Sequence, residues 1–408
     1  MLLLAGTAVA EDSEEAALAL ADKTQTEAKP PSDWRLAAEG ALIESVPRAG
    51  GEPTHAQRVS FDALYDHRFA PAWRFVFADR LDVAWRGAPA YEDSINTLKE
   101  TYVSWQPEAD RLFDLGRLNL RYGVATGYNP TDFLRTGAVR SVVSVLPASL
   151  RENRLGTVML RGQQLWNSGS LSALYAPKLA DPSNSSPFSP DFGATNNQNR
   201  WLLALSQKLG DDFNPQWLLY DDAGGSPQLG VNLTALLNDA TIAYLEWSGG
   251  RSRSLLSQAL AASDDTSFRS RAAGGLTYTA ATKVTVTLEY DYNGAGLDED
   301  DWNRLRTGPP AAYVQYRNFV ERLQDPPTQR NVFFFARWED ALLVHLDLSA
   351  LARLNLADDS RLSFLEARYH WEHVDAALQW QHNGGAATSE FGALLQETIW
   401  QALVTYFF

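Results

Sequence analysis

The sequence predicts an all-β fold: a transmembrane antiparallel β-barrel of about 18 strands, with short periplasmic turns and long extracellular loops. Three observations predict it. Apolar residues recur at every second position in segment after segment. The connections alternate between short and long. The chain also closes on an aromatic-rich amphipathic strand.

The elements follow in chain order. Met1–Ala10 reads MLLLAGTAVA, and its Ala8-Val9-Ala10 pattern resembles the end of a secretory signal peptide, without a basic stretch before it. Residues 11–32 are acidic and Ala-rich and are broken by Lys29-Pro30-Pro31. They read as a periplasmic spacer that could dock a periplasmic partner. The barrel is then expected over 33–408.

Residues 73–86 place Trp73, Phe75, Phe77, Leu81, Val83 and Trp85 on one face, with Arg74, Arg80, Asp82 and Arg86 on the other. Residues 113–122 separate Leu118, Leu120 and Tyr122 from Arg117, Asn119 and Arg121. In 229–237, Leu229, Val231, Leu233, Ala235 and Leu237 oppose Gly230, Asn232 and Thr234. In 283–292, Val284, Val286, Leu288, Tyr290 and Tyr292 oppose Lys283, Thr285, Thr287, Glu289 and Asp291. Residues 330–338 alternate less cleanly, with Phe333, Phe334 and Phe335 in a row. Residues 342–356 alternate throughout and read as one long strand. A globular strand usually has about 5–6 residues, whereas a tilted membrane strand needs about 9–11. The first strand, near 34–46, and the fourth, near 94–106, alternate least regularly, and without them the count falls to 16.

Tight connections fall at 167–170, 210–214, 238–241, 280–282, 338–341 and 371–374. Long polar segments fall between them at 123–152, 177–199, 249–267, 293–328 and 383–396. Only brief exceptions such as 357–361 occur on the long side. A soluble sandwich would carry similar loops at both ends, and no repeat of about 20–50 residues suggests a propeller. In the last strand, Trp400, Ala402, Val404, Tyr406 and Phe408 share one face. A terminal strand of this kind resembles the signal read by the barrel-assembly machinery. Trp73, Trp85, Trp105, Trp247, Trp338, Trp371, Trp380 and Trp400 sit at strand ends, as interfacial girdles require.

Composition narrows the function. The chain has 408 residues, no cysteine and a formal charge of -15. The absence of cysteine excludes disulfides, thiolate metal sites and a cysteine nucleophile. An acidic chain is a poor match to nucleic acid. No run of about 18 apolar residues marks a membrane helix. The six histidines form no ligand cluster: His370 and His373, three apart, fall on opposite faces of a strand, so no metal site is expected. The acidic stretch 294–301 (GAGLDEDD) lacks EF-hand spacing and reads as a solvated loop. No cofactor motif and no catalytic motif occurs. His345 and His370 with Ser349 or Ser363 are the only raw material for a hydrolase, and they lie in ordinary strand positions.

In a membrane barrel the polar face lines the lumen. The inner set is expected to include Arg74, Arg80, Arg117, Arg121, Arg161, Arg271, Arg337, Arg353 and Arg368. Glu246, Glu289, Asp291, Asp347, Glu366, His345 and His370 accompany them. These charges either brace the wall in pairs or present a field to a charged solute. The segment 123–152 carries the apolar run Val142-Val143-Ser144-Val145-Leu146, odd for a loop in water. A loop folded back into the lumen, as a constriction or plug, accounts for it. The constriction residues expected are Arg117, Arg121, Arg135, Arg140, Arg151, Arg154 and Arg161, with Arg337, Arg353 and Arg368 on the wall.

Gly116-Arg117, then Tyr122, Gly123, Gly127, Asn129, Pro130 and Asp132, then Leu150-Arg151-Glu152 resemble the alginate-export type of outer-membrane porin and its uncharacterised relatives. The likeness covers the segment 116–152. It implies a barrel of about 18 strands and an Arg-lined lumen, which in the type member serves an anionic polysaccharide. The functional expectation is a non-enzymatic channel of the bacterial outer membrane. It would pass or export polar, anionic solutes or polysaccharide without a cofactor. The alternative is a plugged structural barrel serving as a scaffold for an export complex.

Overall fold

The computed structural model describes residues 32–87, 91–184, 186–210 and 213–408. The leader at 1–10 and the spacer up to residue 31 lie outside the described residues. Eighteen strands form one sheet. They are β1 (Trp34–Pro47), β2 (Thr54–Ala70), β3 (Trp73–Arg86), β4 (Tyr91–Glu108), β5 (Arg111–Leu118) and β6 (Thr157–Trp166). Next come β7 (Gly169–Ala176), β8 (Arg200–Gln207), β9 (Gln216–Asp222), β10 (Gln228–Asn238), β11 (Thr241–Ser252) and β12 (Ser267–Thr279). The last six are β13 (Val284–Asn293), β14 (Arg330–Trp338), β15 (Leu346–Asn355), β16 (Arg361–His370), β17 (Val374–Gly384) and β18 (Gln396–Phe407). Each pairs antiparallel with its chain neighbours, and β18 pairs with β1 in the register Ala41↔Leu403. Closure leaves the sheet without an edge, as a barrel in lipid requires. Both irregular strands, β1 and β4, are present, so the count is 18 and not 16.

Inner and outer faces alternate down the strands. On β13, Thr287, Glu289 and Asp291 are buried on the inside, while Leu288 and Tyr290 are exposed on the outside. On β18, Gln401, Leu403 and Thr405 point in, and Trp400, Val404 and Tyr406 point out. The Phe run of β14 divides by the same rule: Phe333 and Phe335 fall on the inner face, and Phe334 on the outer. Outer aromatics meet across strands near the short-turn end. Trp73 stacks on Trp105 at 5.7 Å, and Trp105 on Phe113 at 5.5 Å. At the end of β16, Tyr369 meets Trp371 two residues on at 4.5 Å. Rings with an apolar body and a polar edge suit the headgroup level.

Two strands differ from the sequence reading. Residues 342–356 are not one strand, because β15 begins only at Leu346. Asp340 accepts the backbone N–H of His345 at 2.6 Å, and His345 takes φ +72°. This side-chain-capped turn reverses the chain before the ladder starts. His345 therefore lies in an exposed turn and not on the lumen wall. Residues 113–122 are also not one strand. β5 ends at Leu118, and the Asn119 N–H donates to Glu100 at 3.2 Å. The ladder Asp114↔Arg161, Gly116↔Met159, Leu118↔Thr157 fixes the inner face. Leu118 therefore faces inward, and Arg117 shares the outer parity of Phe113 and Leu115. That is a one-residue exchange of faces.

The long loops carry five short helices: α1 (Pro147–Glu152), α2 (Phe192–Thr195), α3 (Leu255–Ala259), α4 (Glu299–Thr307) and α5 (Pro310–Leu323). The acidic stretch at 294–301 is a helix start and not a free loop. Asp298 caps α4 by accepting the Asp301 N–H at 2.8 Å. Acids in the first turn suit the positive end of the helix dipole. Leu255 of α3, Trp302 and Leu305 of α4, and Tyr316 and Val320 of α5 form a separate apolar core over the mouth of the barrel.

Candidate functional site: a loop across the lumen

Residues 119–156 leave β5, cross the lumen and return to β6. Phe133 and Leu134 pack on an inner-wall cluster of Leu118, Met159, Leu174, Leu202, Leu218 and Tyr220, spread over β5–β9. Phe133 stacks on Tyr220 at 4.6 Å, with their planes 3° apart. Further along, Val145 and Leu146 join Phe333, Leu351, Leu362 and Phe364 on β14–β16. Val145 and Leu146 of the apolar run therefore have packing partners inside the barrel, whereas Val142 is exposed. Full burial of a leucine side chain, as at Leu134, contributes about 1.5–3 kcal/mol, and the partly buried Phe133, Val145 and Leu146 add to it.

Two wall carboxylates hold the crossing segment. Glu246 of β11 accepts the backbone N–H groups of Val124 (3.0 Å), Ala125 (3.1 Å) and Thr131 (2.7 Å), and the Asn129 amide at 3.2 Å. Glu289 of β13 accepts Thr126 N–H (2.8 Å), Gly127 N–H (2.9 Å), Tyr128 N–H (2.9 Å) and the Tyr244 hydroxyl (2.7 Å). Glu246 is 0% exposed and Glu289 1% exposed. A loop buried in a lumen must satisfy its backbone donors. Here consecutive amides converge on two anions, so each bond is charge-assisted.

The motif residues serve this arrangement. Gly123 has φ +106°, and a Cβ there would lie 2.6 Å from either Glu246 oxygen. At Gly127 a Cβ would lie 2.4 Å from the Phe333 ring. Asn129 also donates to Ala125 O at 2.6 Å, and Pro130 is buried beside it. Asp132, fully buried, pairs with Arg154 at 2.5 Å.

From above, the cap helices clamp the same loop. Asp325, just past α5, pairs with Arg135 and accepts the Tyr128 hydroxyl at 3.1 Å. Gln324 donates to Arg135 O at 2.7 Å, and Gly137 N–H to Arg322 O at 3.0 Å. Burial opposes the Arg135 charge, but Asp325, Tyr128 and Asp132 outweigh it and hold the guanidinium above its ordinary value. Burial, reinforced by Asp325, pushes the Tyr128 hydroxyl well up.

The ten arginines expected at the site separate into groups. Arg161 pairs with Asp114 (2.7 Å), Arg337 with Asp347 (2.7 Å) and Arg368 with Glu366 (2.9 Å), all along the wall. Arg135 and Arg154 are paired inside the loop. Arg117 is not a lumen residue: it donates to Pro190 O at 2.6 Å and lies over Phe192, beneath the loop 177–199. Arg140 ties that loop to β4 through the carbonyls of Asn96 (2.6 Å) and Ser189 (2.8 Å). Arg353 lies 5.6 Å over the Phe333 ring, in the field of Asp291 and Glu390.

Arg151 and Arg121 remain, at the root of the crossing loop. Arg151 is buried against Gly123 O at 3.4 Å, and Arg121 is exposed. Arg154 and Arg121 oppose the Arg151 charge, while Asp132 and Glu246 favour it, and Glu100 of β4 faces Arg121. The root therefore mixes both signs, and Arg121 is its exposed cation.

Across the lumen a mixed ladder braces β1–β4. Arg58 meets Glu39 at 2.6 Å, Arg80 meets Asp82 at 3.0 Å, and Lys99 meets Asp62 at 2.6 Å. Among the described residues no cluster of histidine and carboxylate groups suits a metal ion. His370 is engaged by Asp375 at 2.9 Å and Asp347 at 3.5 Å. Sequence reading placed Glu246 and Glu289 on the inner wall but gave them no role in holding the loop, and it did not reach Asp325. Two inward acids on strands facing a Gly-rich loop were the available signal.

No family model matches the chain, and no curated protein matches it. Solved structures do. OccAB1 of Acinetobacter baumannii is similar with a TM-score of 0.56 at 12% identity, over 94% of this chain and 99% of that one. The outer membrane protein opdK of Pseudomonas aeruginosa is similar at 0.53 and 8% identity, over 92% and 99%. OccK2 (OpdF) of Pseudomonas aeruginosa, solved in complex with glucuronate, is similar at 0.55 and 11% identity, over 92% and 97%. Identity this low carries the shared architecture: the chain has the fold of outer-membrane channel barrels.

Proposed function

We propose that this protein is a diffusion channel of the bacterial outer membrane for small polar solutes, with a preference for anions of the sugar-acid class. The observation that supports it most is the loop 119–156, held across the lumen by Glu246 and Glu289, which we read as its constriction. Arg121, the exposed cation at its root, supports the preference for anions. The glucuronate bound by OccK2, a barrel of the same fold, supports the solute class.

Polysaccharide export, which the likeness to the alginate-export porins implies, needs a wider passage. Glycines and Asn129 of that motif are spent here on seating the crossing loop. Small solutes therefore fit the geometry better. We also assign β18 with Phe408 as the segment read by the barrel-assembly machinery, since its outer face is aromatic and β18 closes the sheet on β1.

Swelling of liposomes carrying the folded protein tests the reading. Glucuronate should enter faster than glucose, and an alginate oligomer should not enter. Equal exclusion of all three would overturn it in favour of a plugged scaffold. Entry of the oligomer would favour polysaccharide passage.

A further inference from the structure

We propose that Glu390 is the protonation switch of an extracellular latch, which joins the loop 385–395 to the cap helices and releases that loop when Glu390 ionises. This inference does not depend on what the barrel conducts.

Three loops meet at this point. The Tyr313 hydroxyl of α5 donates to Thr388 O at 2.9 Å, and Arg317 donates to Ser389 O at 3.2 Å. Glu390 N–H donates to Asp358 of the loop 356–360 at 2.8 Å. The same Asp358 oxygen accepts the buried Trp302 indole N–H of α4 at 2.8 Å. Phe391 is buried with the wall cluster of Phe333 and Phe364. The latch therefore touches the cap, a neighbouring loop and the lumen wall.

The carboxyl group of Glu390 is poorly provided for within it. It accepts one neutral donor, the Asn355 amide at 2.8 Å. The charged groups facing it are Arg317 from α5, Arg353 from β15 and Asp358 from the loop 356–360. Both arginines have other work. Arg317 serves Tyr313 and Ser389, and Arg353 lies over Phe333. Tyr313 and Tyr316 also face the carboxyl group, and both hydroxyls are pushed up, chiefly by burial. Burial, with Asp358 adding to it against the two arginines, pushes the Glu390 carboxyl up to about 7 from an ordinary value of 4.5.

A carboxyl group raised in the closed state favours closure while it is protonated. Closure is fully supported below about 4.5 and is lost as the pH rises through about 7. Between those limits the opening equilibrium should rise about tenfold per pH unit. The released loop takes its carboxylate into water, where the like charge of Asp358 no longer opposes it.

The chain has no cysteine, so a single label is clean. Ala387 is exposed on the latch loop. A nitroxide on Ala387→Cys, in protein reconstituted into lipid vesicles, should show a mobile fraction that grows from pH 5.5 to 8.5. In an added Glu390→Gln background the label should stay at its low-pH mobility throughout. Asp358→Asn keeps an acceptor for Trp302 and should move the transition to higher pH, because it removes the repulsion that opposes closure with Glu390 ionised and leaves the arginines in place. An unchanged transition in Glu390→Gln, or none in the parent, would overturn the switch.

Discussion

The backbone N–H of Thr131 donates to Oε1 of Glu246 at 2.7 Å, fastening a loop that springs from β5 to β11. Beyond it Gly127 rests on Phe333 of β14, halfway round the 18-stranded sheet from β5. The loop therefore crosses the full width of the lumen, and what fastens it should govern what passes.

Releasing the loop should widen the channel. Glu246→Gln with Glu289→Gln replaces a five-fold and a four-fold acceptor with amides whose own N–H groups oppose the loop's donors. Each charge-assisted bond lost costs about 1.5–3 kcal/mol. Single-channel conductance and the upper size of permeating solutes should both rise, while the folded barrel persists by heat-modified gel mobility.

The seat of the loop on β14 should be sterically exact in the same sense. Gly127→Ala puts a methyl 2.4 Å from the Phe333 ring, so the loop must lift. Channel recordings should become noisier. Adding Phe333→Ala makes room and should restore a quiet channel, an outcome expected only if these two residues touch.

Exposed and buried arginines should behave differently. Arg121→Glu reverses an exposed charge and should shift the reversal potential toward cations with little change in stability. Arg154→Met leaves the buried Asp132 carboxylate unpaired, which costs about 3–5 kcal/mol. It should destabilise the loop, measured as faster proteolytic nicking within 119–156.

The inner and outer faces can be checked on β6. Leu160 is exposed on the lipid side, and Gln163 has the inner parity of Arg161. Leu160→Arg should cost about 2–4 kcal/mol in folding titrations into vesicles if it sits near the bilayer midplane. Gln163→Arg should cost little.

The barrel was legible because period-two alternation is a local property, and lipid on one side with water on the other makes it strong. β13 and β18 have the faces that their sequences imply. Local pattern and ladder disagree at two strands. Leu118, Leu120 and Tyr122 alternate, yet the ladder stops at Leu118 and its register is set by Asp114↔Arg161 on another strand. Leu342–Val344 continue the alternation of β15, but Asp340 captures the His345 N–H and makes a turn. The loop's burial was legible from Val145 and Leu146, which are too apolar for water. Its fastening was not, because Glu246 and Glu289 lie more than a hundred residues away in the chain and become partners only once the barrel has closed. The arginines looked alike in sequence. Their differences come from acids elsewhere in the chain, such as Asp347 for Arg337 and Asp325 for Arg135.

The most direct measurement is the reversal potential and unit conductance of the folded protein in a planar bilayer under a salt gradient, taken beside the Glu246→Gln, Glu289→Gln variant. Small, anion-selective unit steps are expected from the parent and larger, less selective steps from the variant. A silent parent, or identical steps from both proteins, would contradict the claim that the loop pinned across the lumen is the constriction of a channel.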